Sequence, residues 1–172
     1  MSTARPLSPS ERDALLDAAR RVTAEDGMEA ATVLHPALAK ALAEAFARDM
    51  GTAIRQRIDG VASIEEFVEA LLDTVLTAAT TWRDALVLIN LALERLRLFE
   101  ELSEVLEPWS DALRDALAHA QELGVVNRDL DVDTTAFVLR DVLDRTAKAY
   151  VVFGQRPYRE ASAALVRAAL RA

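Results

Sequence analysis

The stretch DVDTTAFVLRDVLDRTAKAYVVFGQRPYREASAALVRAAL, Asp131 to Leu170, reads as a helical hairpin too apolar to belong to a single core. Its charged residues Arg140, Asp141, Asp144, Arg145 and Lys148 fall on one strip, while Phe137, Val138, Leu139, Val142, Leu143, Ala147, Tyr150 and Val151 cover much of the remaining circumference. A helix packed on one neighbour needs an apolar stripe of only ~100°, so this one calls for two partners. After the turn at Gly154 and Pro157, the helix to Leu170 carries Ala161, Ala163, Ala164, Ala168 and Ala169, small residues that let another helix approach closely. One side of the hairpin is therefore expected to pack inward and the other to bind a second copy. Leu139, Leu143, Ala147 and Tyr150, with Ala161, Leu165 and Ala168, are the candidates for the dimer interface. A two-fold axis lets the same patch cover itself, which predicts a homodimer held by a four-helix bundle.

The rest of the chain fits an all-α protein. Glycine and proline number five each, and alternating strand patterns bounded by turns are absent from the sequence. With 172 residues it suits one domain, or a compact domain with a small appendage. Lysine and arginine total 20 against 28 aspartates and glutamates, a net charge of −8, so no overall positive field favours nucleic acid or an anionic membrane. The chain has no cysteine, which excludes disulfides and thiol chemistry and suits the cytoplasm. Neither a signal-peptide core nor an apolar run of membrane-spanning length is found, so no membrane association is expected.

Working outward from the hairpin, Ser8-Pro9-Ser10-Glu11 combines a capping serine, a proline at the first helical position and a glutamate three residues on, and Gly27 supplies the stop. Pro36 opens a helix that runs to about Ile58 with Gly51 inside it, and Ser63 with Glu66 caps the next, Ile64 to Ala79. Thr74, Thr77, Thr80 and Thr81 lead into Trp82. They end a helix beside a core tryptophan, or they wall a pocket. Arg83 to about Leu98 is apolar from Ala85 to Leu93 except for Asn90, whose amide needs partners from a neighbouring helix or from a ligand. Glu94, Arg95 and Arg97 read as a solvated face. Pro108 opens a helix that ends at Gly124 and carries His119 on its surface, and Asp131 is the N-cap of the long helix.

Catalytic chemistry finds no support. His35 and His119 lie far apart in the sequence, and phosphate-loop, dinucleotide and nucleophile-elbow motifs are absent from it. No catalytic residue, metal or cofactor is expected.

Two segments carry a family likeness. SERDALLDAARRVTAEDGMEAATV, Ser10 to Val33, with Leu15, Leu16, Ala18, Ala19, Gly27, Thr32 and Val33 at the matching places, resembles the opening of the tetracycline-repressor (TetR) family of bacterial transcriptional regulators. HAQELGVVNRDLDVDTTAFVLRDVLDRTAKAYVVFG, His119 to Gly154, resembles its approach to the penultimate helix. The sequence departs from the family at Thr23, where a phenylalanine is usual. It also lacks, between Val33 and Leu38, the second helix, turn and recognition helix that read DNA, an element on the order of twenty residues. Met1 to Gly60 sums to eight positive and nine negative residues, so no phosphate-binding patch compensates.

The resemblance implies residues 1–35 as a remnant of the helix-turn-helix region and 36–172 as a helical ligand-binding and dimerisation domain. It further implies a small apolar effector held by Phe67, Leu71, Val75, Trp82, Leu86, Ile89, Asn90, Leu93 and Trp109. DNA binding of the family's kind is not expected. The alternative is a helical interaction module that dimerises without a ligand.

Overall fold

In the computed structural model, residues 8–27, 36–95, 105–153 and 157–171 are described. They form seven helices and no strand: α1 (Pro9–Asp26), α2 (Pro36–Ile58), α3 (Ile64–Thr81), α4 (Arg83–Arg95), α5 (Glu107–Glu122), α6 (Val132–Phe153) and α7 (Pro157–Arg171). The fold class is all-α, as the composition and spacing predict. The eight residues between Gly27 and α2, where the helix-turn-helix was expected to be missing, lie outside those described.

Local chemistry sets the helix ends. The Ser8 hydroxyl accepts from the Glu11 N–H and the Glu11 carboxylate accepts from the Ser8 N–H at 2.8 Å, a complete capping box with Pro9 behind it. Gly27 closes α1 at φ 78°, in the left-handed region where a side chain would be strained. At α3, Ser63 accepts from Glu66 N–H at 3.2 Å, but the Glu66 carboxylate returns to the N–H of Ala62. Asp131 caps α6 through the Thr134 N–H at 2.7 Å, so that helix begins at Val132, as an N-cap at Asp131 requires.

The chain forms two compact units, each assembled from two separate segments. One is Met1–Asp49 with Trp82–Pro108, the other Met50–Thr81 with Trp109–Ala172, and α2 runs through the boundary.

In the first unit α1 packs on α4, and Leu16 and Ala19 are its buried residues. The expected apolar face is thus rotated, with Leu15, Ala18 and Val22 half-buried and Ala14 exposed. Arg20 reaches Asp84 at 3.1 Å and Arg12 reaches Asp49 at 3.5 Å.

In the second unit α6 and α7 form the hairpin and both pack on α3. Phe67, Val68, Leu71, Leu72 and Val75 from α3 meet Leu139 and Leu143 of α6 and Val166 and Leu170 of α7 as a buried apolar layer. Two buried polar groups lie in the hairpin itself. Thr146 donates to Val142 O at 2.7 Å, so the 2.6 Å contact between the two hydroxyls is donated by Ser162. Outside the apolar layer, Glu65, Glu69 and Asp73 of α3 face Arg171, Arg167 and Arg159 of α7, with Arg57 also 3.9 Å from Asp73.

Candidate functional site

The residues expected to line an effector cavity divide between the units. Phe67, Leu71, Val75 and Trp109 are buried in the second, and Trp82, Leu86 and Ile89 in the first. Asn90 is half-buried, and the side chain of Leu93 lies outside those described. Trp82 is wholly inside the protein: its indole N–H donates to Asp49 at 3.0 Å and its ring meets Phe46 edge-on at 6.2 Å. The adjoining threonines are occupied by their own helix, since Thr74, Thr80 and Thr81 each donate to the carbonyl four residues back. Of the two readings of this run, helix and core account for three of its four hydroxyls.

The residues named for a dimer interface are buried over much of α6 and exposed on α7. Leu139, Leu143 and Ala147 are buried within the protomer, so they are not available to a partner, and Tyr150 is half-buried. The physical reason is that α3 already covers that side of α6. What α6 turns to solvent is Phe137, 68% exposed, and Val138, followed by the ion pairs Asp141–Arg145 at 2.9 Å and Asp144–Lys148 at 2.7 Å. On α7, Ala161, Ala168 and Leu165, the last 57% exposed, do face outward, together with Tyr158 and Ala164.

Sequence reasoning missed a half-open cleft of about 240 Å³ in the second unit, lined by Arg55, Ile58 and Asp59 at the end of α2 and by Asp115, Ala116 and His119 of α5. Ile58 and Ala116 form its nearly buried apolar floor. Arg55 crosses the rim and donates through Nε and Nη2, at 3.2 and 3.1 Å, to one oxygen of Asp115. His119 sits 3.8 Å from Glu122. The one signal available in the sequence was the i, i+4 spacing of Asp115 and His119. Among the described residues, no group of three or more histidine, aspartate or glutamate side chains is placed to hold a metal ion. Nor is any described helix long and apolar enough to cross a membrane.

No family model matches the chain, and no curated protein does. Among solved structures, the fatty acid degradation regulator FadR from Bacillus halodurans superposes with a TM-score of 0.65 at 19% identity, over 96% of this chain and 97% of that one. This chain shares the all-helical fold of that protein. The likeness runs through both units and is a likeness of fold. It does not single out the TetR family.

Proposed function

We propose that the chain is a TetR-like transcriptional regulator or a derivative of one, acting as a dimeric domain that binds a small apolar effector. The observation that carries this reading is the fold shared along nearly its whole length with a fatty acid degradation regulator. An effector of the acyl type suits the part of the candidate lining that lies in the second unit, because Phe67, Leu71, Val75 and Trp109 offer apolar surface and few polar groups. Each methylene removed from water contributes ~0.8 kcal/mol, so affinity is expected to climb with chain length until the cavity is full. The effector acts by binding one conformation better than another, and the dimer relays the difference. DNA reading of the family's kind is not part of the proposal, since the span from Val33 to Leu38 is too short for a recognition helix.

Thermal unfolding of the purified chain with a series of saturated fatty acids and their thioesters tests the reading. A ligand that binds only the folded state raises the melting temperature by mass action. The rise should grow with chain length and be lost when Val75→Trp fills the space. A second reading, a dimerising module without a ligand, draws support from Trp82, whose ring and N–H are both satisfied by protein groups. No shift with any acyl compound would select it.

A further inference from the structure

We propose that the cleft between the end of α2 and the middle of α5 binds a small organic cation, a primary ammonium on a compact apolar body. It shares no residue with the effector lining proposed above and stands or falls separately. The cleft has two parts of different chemistry. Its floor, Ile58 and Ala116, is apolar and nearly buried, and gains from covering by hydrocarbon. Its rim is ionic and carries a net negative charge: Arg55 contributes one positive charge, Asp59 and Asp115 two negative ones.

The pairing on that rim decides the sign of the ligand. Both donors of Arg55 converge on Asp115 Oδ2, which occupies the guanidinium and leaves Asp115 Oδ1 without a share in that bond. Asp59 is exposed and enters no ion pair among the described residues. Glu122, beside His119, adds a further negative charge nearby. An anion would meet carboxylates before it met a free cation. A neutral ligand would dehydrate Asp59 with nothing in return, which is unfavourable. An ammonium answers Asp59 and the open oxygen of Asp115 while its apolar body lies on Ile58 and Ala116. At about 240 Å³ the cleft is smaller than the ~300–1,000 Å³ that hold drug-sized ligands, so it suits a molecule of about ten heavy atoms or fewer.

Benzylammonium is the probe, benzyl alcohol its neutral counterpart, and the readout is the backbone amide spectrum of the isotope-labelled full chain. Saturable shifts confined to residues 55–60 and 115–122 are expected with benzylammonium, and weaker ones with benzyl alcohol. Because Asp59 is exposed and unpaired, Asp59→Asn should leave the melting temperature unchanged and weaken binding about two- to fivefold, as loss of one solvent-facing ion pair does. Asp115→Asn should weaken it further, by releasing Arg55 into the cleft. Equal binding of benzyl alcohol, undiminished affinity in Asp59→Asn, shifts centred elsewhere, or no shift up to the solubility limit would each overturn the proposal.

Discussion

At Asp131 a single carboxylate sets where the longest hairpin helix begins. Its Oδ1 accepts from Thr134 N–H at 2.7 Å, and hydrogen bonds from the Thr134 side chain and backbone hold its pKa below the ordinary carboxylate value. A group whose pKa is lowered by folding contributes stability above its unfolded pKa and loses it as pH falls through the folded one. Asp131→Ala should therefore lower the melting temperature at neutral pH, and the gap from the parent should close as the solution is acidified below the carboxylate range. Calorimetric melts across pH check this. Trp82 makes a different demand. It is fully buried, so Trp82→Ala is expected to cost about 3–5 kcal/mol, a large part of a domain's usual stability. Trp82→Phe keeps the ring against Phe46 and loses the bond to Asp49, and a denaturant titration of both variants separates packing from the hydrogen bond. The cap at Asp131 was legible in the sequence because capping is local. Asp49 as the partner of Trp82 was not, since 33 residues separate them and no periodicity links the two.

Pairs of elements carry information that no single helix holds. The acidic strip of α3 lies opposite three arginines of α7, up to 106 residues away. Burial alone weakens the guanidinium of Arg159, and the carboxylates of Asp73 and Glu69 more than offset it, raising its pKa. Individual exposed ion pairs contribute at most about 1 kcal/mol. Glu69→Ala, which removes contacts to both Arg159 and Arg167, should destabilise by about that amount at low ionic strength and by much less in ~1 M salt, where the Debye length is ~3 Å. Urea unfolding at the two salt concentrations reads the difference. Inside the hairpin, the hydroxyls of Thr146 and Ser162 are buried together. Thr146→Val leaves the Ser162 hydroxyl short of a partner, at a cost of about 1–3 kcal/mol, whereas Ser162→Ala leaves Thr146 bonded to Val142 O and should cost less. The double variant should cost less than the sum of the two, and a double-mutant cycle measures the coupling.

For the molecule as a whole, the sparse glycines and prolines and the helical spacing were sufficient for the all-α class. They were not sufficient for the face it presents. Periodicity showed that α6 is apolar on more than one side, but which side α3 covers depends on a helix some sixty residues earlier in the chain. Hence Leu139, Leu143 and Ala147 turned inward while the α7 candidates stayed outside. The proposed dimer seam accordingly centres on α7, with Tyr158, Ala161, Ala164, Leu165 and Ala168, and takes Phe137 and Val138 from α6. Leu165→Glu should dissociate the dimer into folded monomers, because it places an unpaired charge in the seam. Leu143→Glu should instead unfold the protomer. Sedimentation velocity with circular dichroism tells the two outcomes apart, and a monomeric parent at micromolar concentration would refute the dimer. The same chain should fail to retard its own promoter in a gel shift, and salt-sensitive, sequence-selective retardation would contradict the reading of the short Val33–Leu38 span.

The second unit is built from two stretches, Met50–Thr81 and Trp109–Ala172, with a piece of the other unit inserted between them. On the ribosome, α3 therefore emerges well before the helices that cover it: from Thr81 to Arg171 about 90 residues must still be added. At ~5–20 residues per second that interval is on the order of 5–18 s. During it Phe67, Val68, Leu71 and Leu72 lack the contacts of α6 and α7, and the nascent chain is most open to chaperones and to aggregation then. Slow codons placed between α4 and α7 would lengthen that window, whereas the first unit, complete at Pro108, would be spared.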